Sequence, residues 1–143
     1  MPPVGDTSYF EKLMFRICYT SGMETETPKA WNVFDPDCPT RAVLDRIGDR
    51  WTVLVVLMLL SGTQRFGELR DKIAGVSPKV LTATLRALER DGLVTRHVYA
   101  EVPPRVDYTL TQLGRSLETP LQAIREWAET NMPAIEAARR AIH

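Results

Sequence analysis

The sequence predicts a mainly helical α+β fold in which one β-hairpin precedes a long final helix. Three observations support this class. Apolar residues recur at helical spacing through most of residues 40–90, two short alternating segments around a proline-containing turn follow, and a second long helical pattern begins near residue 112. With 143 residues, 44% of them hydrophobic and 25% charged, the chain is long enough for one domain with a real core.

Residues 1–37 are predicted to be a poorly organised N-terminal extension. Pro, Gly, Thr and Glu are frequent there, and only residues 9–19 carry a short amphipathic pattern. The first residues have neither the basic start nor the apolar run of a secretory signal. We expect the organised domain to span residues 38–132 and residues 133–143 to form a C-terminal tail.

Two helices are predicted on either side of Gly48. Pro39 favours a helix start because a first-turn residue needs no N–H partner. The apolar positions of the first helix are Val43, Leu44 and Ile47. The second helix, residues 51–60, is apolar on nearly all sides, so we expect it at the centre of the core. Its apolar run is too short to cross a bilayer, so no membrane association is expected.

A short helix, a turn and a longer helix come next. Arg65 and Phe66 fit a very short strand, and a third helix is expected over residues 67–74, ending at Gly75. Ser77 and the following proline provide an N-cap and a first-turn Pro for the fourth helix. The buried stripe of this helix is Leu81, Leu85 and Leu88. The order matches a helix-turn-helix, whose second helix enters the DNA major groove.

The remaining residues predict a hairpin and a long helix. Segments 93–99 and 105–110 alternate like strands and flank the turn at residues 101–104. We expect Thr111 to cap the last helix and Pro120 to kink it. One face of this helix carries Leu113, Leu117, Leu121, Ile124 and Ala128. That face is too apolar to remain in water. The predicted fold is therefore a winged helix-turn-helix with a two-stranded β-hairpin wing and a long C-terminal dimerisation helix.

The outward face of the fourth helix carries the residue types that read DNA. Its members are Lys79, Thr82, Ala83, Arg86 and Arg90. Arg binds guanine, Thr contacts bases or phosphates, and a small Ala permits close approach. Ser77 lies at the helix N-terminus, which favours a phosphate. Arg105 at the wing is expected to reach phosphates or the minor groove. The alternatives are an ordinary solvated helix face and, for Arg105, a rigid turn with a salt-bridged Arg.

The distribution of charge permits double-stranded DNA as the partner. The chain has 18 basic and 18 acidic residues, but binding depends on where the charges lie. Residues 65–105 carry eight basic and five acidic side chains, whereas residues 1–37 carry three basic and six acidic ones. This asymmetry is modest, so a winged helix that binds another protein instead of DNA stays open as an alternative.

Enzymatic and metal-dependent functions are disfavoured. The sequence has no Gly-rich phosphate loop, no metal-ligand spacing and no Ser/His/Asp set, and its two histidines, His97 and His143, are isolated. We therefore expect neither catalysis nor a cofactor nor a metal. Two cysteines make no disulfide framework, which favours a reducing cytoplasm.

Several stretches of the sequence resemble the HxlR-type winged-helix regulators. They are Cys38-Pro39, IGDRW at 47–51, RFGELR at 65–70, GVSPKVLT at 75–82, LRALERDGLV at 85–94 and VYAEVPPRVDY at 98–108. The resemblance covers roughly residues 38–130 and leaves the N-terminal extension unmatched. It implies a homodimeric bacterial regulator that binds a near-palindromic operator, with the first and last helices building the dimer interface.

The resemblance also raises the question of the effector. Some members of this family sense oxidants or electrophiles through a Cys in the position of Cys38. A thiol at a helix N-terminus near Arg41 is a reasonable sensor, whereas the alternative is a small packing residue. A sensor would use a Cys38–Cys38 bridge across the dimer, a bridge to Cys18 or a mixed thiol adduct. The second option is a small-molecule effector without cysteine sensing, prompted by Trp31, Trp51 and Trp127, although Trp51 also fits a core position.

Overall fold

The computed structural model describes residues 30–142. The chain divides into two units, Met1–Asn32 and Val33–His143, and the elements below belong to the second. They are α1 (Thr40–Gly48), α2 (Arg50–Leu59), β1 (Gln64–Arg65), α3 (Phe66–Lys72), α4 (Pro78–Arg90), β2 (Val94–Tyr99), β3 (Arg105–Leu110), α5 (Gln112–Arg115) and α6 (Glu118–Ala141). The amphipathic piece predicted at residues 9–19, and Cys18 with it, lie outside the described residues.

Helix α2 lies at the centre of the core, as its apolar sequence predicts. Its buried residues are Thr52, Val55, Val56 and Leu59. The carboxylate of Asp49 caps its N-terminus by accepting hydrogen bonds from the Thr52 backbone N–H at 3.0 Å and the Thr52 hydroxyl at 3.1 Å. This cap fixes where α1 ends and α2 begins.

The predicted helix-turn-helix is confirmed. Helix α3 ends at Lys72, two residues earlier than expected, and a turn containing Gly75 with a φ of +85° leads to α4. Ser77 Oγ accepts from the Val80 N–H at 3.1 Å, which makes Ser77 the N-cap of α4. The stripe of Leu81, Leu85 and Leu88 is buried against the core. Because these leucines hold one side of α4 against the core, the polar residues on the opposite side of the helix face outward.

The wing is a β-hairpin extended by a third short strand. The sheet order is β1-β3-β2, and all pairs are antiparallel. Successive residues of a strand face opposite sides. The inner face, which includes the buried Tyr108, consists of Val94, Arg96, Val98, Val106, Tyr108 and Leu110. The outer face consists of Thr95, His97, Tyr99, Arg105, Asp107 and Thr109.

The C-terminal region differs from the prediction in the position of its helix start. Thr111 caps the four-residue helix α5, accepting from the Gly114 N–H at 3.0 Å, and the long helix α6 begins only at Glu118. Leu113 and Leu117 therefore precede α6 and do not share its face. Of the predicted apolar face, Leu121 is 1% exposed and belongs to the core of its own chain.

The prolines of α6 also act differently from the prediction. Pro120 occupies the first turn, where a backbone N–H has no helical partner to lose, so the expected kink has no cause there. Pro133 is the proline inside the helix. The helix continues across residues 132 and 133, where the sequence predicts the start of a C-terminal tail.

Candidate nucleic-acid interface

The reading face of α4 is defined by Lys79, Thr82, Ala83, Arg86 and Arg90. Thr82 is half-buried and the other four residues are exposed. Within residues 30–142, no ion pair or hydrogen bond engages the side chains of Lys79, Arg86 or Arg90. These cations are therefore available to a ligand without first breaking an internal contact.

The two ends of α4 are fixed by neighbouring groups. At the N-terminus, the Ser77 oxygen already accepts from the Val80 N–H, and its own hydroxyl hydrogen stays available to donate. At the C-terminus, Arg46 of α1 donates from Nε to the Asp91 carboxylate at 3.1 Å. This ion pair links α1 directly to the end of the helix that carries the reading face.

A shallow cleft separates α4 from the wing. Its lining residues are Thr82, Arg86, Glu89, Arg96 and Tyr108. Arg96 was not among the predicted site residues, although strand alternation gives the signal. It lies two residues after the buried Val94 and so shares its face, pairing with Tyr108 in the register. The fold therefore brings Arg96 next to the reading face.

Arg105 lies on the outer face of the wing and is engaged by other wing residues. Its guanidinium donates to both Asp107 carboxylate oxygens at 3.2 Å and lies 4.0 Å from the centre of the Tyr99 ring. A second carboxylate, that of Glu101, approaches to 4.0 Å. The hydrogen bond to Asp107 raises the pKa of Arg105 above its usual value, while desolvation opposes this rise. Arg105 is therefore a salt-bridged residue of the wing, and its contact with DNA stays a prediction.

Cys38 lies at the start of α1. Its backbone carbonyl accepts from the Arg41 N–H at 3.2 Å, and because Pro39 is the N-cap of α1, Cys38 lies one residue before the cap. The half-buried thiol is 3.0 Å from the Thr40 hydroxyl. The Arg41 guanidinium donates to the backbone carbonyls of Val33 and Phe34 at 3.0 and 3.1 Å, so it is engaged with the segment that precedes the helix.

Apolar side chains remain exposed on α1 and α6. Val43 and Leu44 of α1 are 52% and 55% exposed, and none of the residues of α1 is buried. On α6, Ile124 and Trp127 are 54% and 62% exposed. Trp51 differs, because it packs against the core with the Arg50 guanidinium 4.3 Å from its ring centre. The first and last long helices thus each leave two large apolar side chains more than half exposed.

The described part of the chain contains neither a candidate metal site nor a membrane-spanning helix. Within residues 30–142, no group of three or more His, Cys, Asp and Glu side chains is placed to hold a metal ion. No helix in that range is long and apolar enough to cross a membrane.

Comparison with known proteins identifies the family. The family model for HxlR-like helix-turn-helix proteins matches residues 46–136. The HTH-type transcriptional regulator YtfH of Escherichia coli (strain K12) is 45% identical over 111 residues, which are 78% of this chain and 88% of that protein. The solved structure of a transcriptional regulator ytfH from Salmonella typhimurium has a TM-score of 0.73 at 43% identity, covering 78% of this chain and 99% of that one.

A further similar structure is that of the redox regulator HypR in its reduced form. It has a TM-score of 0.64 at 39% identity and covers 69% of this chain and 98% of that one. The helix-turn-helix and the wing of this chain are the features expected of the family that the sequence and structure comparisons identify. The chain belongs to the HxlR-like helix-turn-helix family of transcriptional regulators.

Proposed function

We propose that the protein binds a near-palindromic operator as a homodimer and reads it with the outward face of α4. The observation that carries this is the reading face itself. Among the described residues 30–142, its Lys79, Arg86 and Arg90 side chains have no internal partner, and they lie on the second helix of a helix-turn-helix. Arg86 at the middle of the helix is the base reader, since a guanidinium binds two acceptor atoms of guanine at once. Lys79 and Ser77 bind a DNA phosphate at the N-terminus of α4.

The dimer follows from the exposed apolar surface. In a two-fold dimer the same surface of each chain meets its copy, so one self-complementary apolar region suffices. We infer that Val43 and Leu44 of α1 and Ile124 and Trp127 of α6, each more than half exposed, form that region. Two copies of α4 would then enter successive major grooves about 34 Å apart.

Selection of bound sequences from a random duplex library tests operator recognition. The wild-type protein should enrich a near-palindromic sequence. Arg86→Ala should lose about 1–3 kcal/mol of specific binding and relax the preference at one position of each half-site. Arg139→Ala, the same change near the C-terminal end of α6, is the matched control and should bind as the wild type does.

The opposite results would contradict the proposal. If the wild-type protein enriches no sequence and its weak binding is independent of salt, the fold acts as a protein-interaction module. If it does enrich a sequence and Arg86→Ala selects the same one with equal affinity, Arg86 is only a surface charge.

We also propose that Cys38 makes operator binding responsive to oxidants or electrophiles. A similar structure is that of a redox regulator, HypR, and the thiol here lies at a helix N-terminus, where the positive end of the helix dipole favours a thiolate. Cys38 itself precedes the residues that the family model matches, so the proposal depends on its local geometry. Because Arg46 joins α1 to Asp91, a displacement of α1 can reach α4.

Diamide treatment tests this second proposal. Oxidant should lower the operator affinity of the wild-type protein, a reductant should restore it, and Cys38→Ser should bind normally but not respond. Cys18→Ser distinguishes a bridge between the two residues from a reaction at Cys38 alone. If wild-type and Cys38→Ser proteins bind identically under oxidant, Cys38 is a structural residue and the signal is a small molecule or the protein concentration.

A further inference from the structure

We propose that Arg96 binds a DNA backbone phosphate at the junction between α4 and the wing. This inference rests on the proposed operator binding and adds a contact outside the reading face. Arg96 is exposed, lies on the inner face of the wing and lines the cleft together with Arg86 of α4. Arg96 lies in the middle of strand β2, so this contact is separate from any contact that the turn between β2 and β3 makes with DNA.

The strand register determines the position of Arg96. It pairs with Tyr108, which is buried and forms the floor of the cleft, so the Arg96 side chain leaves the sheet on the side of α4. A helix that enters the major groove brings the flanking DNA backbone against the elements beside it. The inner face of the wing is the element beside α4.

The charges of the cleft match a single phosphate. Arg86 and Arg96 contribute two positive charges and Glu89 one negative charge, which leaves one net positive charge for one phosphate. Within the described residues, neither Arg96 nor Glu89 forms an ion pair, so Arg96 breaks no internal ion pair when it binds a phosphate. A planar guanidinium can also donate two parallel hydrogen bonds to phosphate oxygens.

Arg105 differs from Arg96 in its face of the wing and in its partners. Its guanidinium is on the outer face of the wing and is hydrogen-bonded to Asp107, so it positions the hairpin rather than contacting the cleft. One wing thus carries two arginines in different environments. Replacing Arg96 and Arg105 separately therefore distinguishes the loss of a direct phosphate contact from the loss of wing structure.

The salt dependence of affinity for the duplex selected by the wild-type protein tests the inference. Each phosphate contact contributes about 0.9 to the slope of log affinity against log salt, so Arg96→Ala should reduce the slope of a dimer by about 1.8. Affinity at low salt should fall at least about a hundredfold, because the dimer loses two charge-assisted hydrogen bonds. Arg96→Lys keeps the charge and should keep the slope. Arg105→Ala should weaken binding with the wild-type slope.

Three results would overturn the inference. If the wild-type protein binds the duplex and both Arg96→Ala and Arg96→Gln retain its slope, Arg96 contacts no phosphate. If Arg96→Ala changes the preference at one base position, Arg96 reads a base. Glu89→Gln gives a third test, because it should strengthen binding to duplexes of any sequence, and a weaker affinity would oppose the charge argument. Failure of the wild-type protein to bind any duplex would instead refute the proposed function itself.

Discussion

Replacement of Gly114 by Ala should destabilise the fold at the junction between the wing and the last helices. A Cβ atom at Gly114 would overlap the backbone carbonyl oxygen of Leu93 and lie 3.0 Å from Leu110 Cδ2. The carbonyl cannot rotate away as a side chain could, because it accepts the Thr111 N–H at 3.0 Å. Overpacking of a well-packed site costs about 1–3 kcal/mol, and a backbone clash belongs at the upper end.

The gain in helix propensity offsets part of this cost. Gly→Ala in a helix gains up to about 1 kcal/mol, so the net loss in the free energy of unfolding should be about 2 kcal/mol. For a domain of this size that corresponds to a fall in Tm of roughly 7–8 °C. Urea unfolding followed by circular dichroism, at one fixed protein concentration, measures the loss.

Gly67→Ala provides the matched control for this prediction. Gly67 lies in α3, its φ is not positive, and the nearest atom to an added Cβ is the flexible end of Arg70 at 3.9 Å. This variant should be as stable as the wild-type protein or more stable by up to about 1 kcal/mol. Equal stability of Gly114→Ala and the wild type would refute the claim that α5 packs directly on the Leu93 backbone.

Four further predictions concern other parts of the structure. Ser77→Ala removes the N-cap of α4 and should lower the free energy of unfolding by about 1 kcal/mol, with an unchanged urea midpoint as the contradicting result. Leu121→Ala should cost about 2–5 kcal/mol of stability because the side chain is buried in its own chain. Trp127→Glu should give a folded monomer by sedimentation, and a persistent dimer would exclude this face as the interface. Asp107→Asn removes the nearer of the two carboxylates beside Arg105 and should speed amide hydrogen exchange in β2 and β3, whereas unchanged exchange would mean that this pair does not order the wing.

The elements with strong local signals are the ones that the sequence predicts well. The Ser77-Pro78 start of α4, its leucine stripe and the two wing strands depend on neighbouring residues alone, and the structure contains all of them. The break between α5 and α6 depends on long-range contacts instead. The Thr111 hydroxyl donates to the Gly92 carbonyl at 2.7 Å and Gly114 packs on Leu93, and neither contact has a signature in the local sequence.

The assignment of wing arginines shows a second limit. The prediction that Arg105 contacts DNA rests on its place next to the proline turn and stays a prediction, but a position near a turn does not indicate which side chains lie beside it. Asp107 two residues later lies on the same face and supplies a partner for it. Arg96 was recoverable from the alternation that begins at Val94. Its proximity to Arg86, however, depends on how the sheet packs against α4, which only the tertiary structure gives.

The geometry of operator binding tests the central claim most directly. Hydroxyl-radical footprinting of the wild-type protein on its selected duplex should reveal two protected regions whose centres are about 10–10.5 base pairs apart, one for each copy of α4. Arg86→Ala, added at a concentration that restores occupancy, should keep this spacing because the dimer is intact. A single protected region, or two whose spacing is not a multiple of one helical turn, would contradict a dimer that reads successive major grooves with α4.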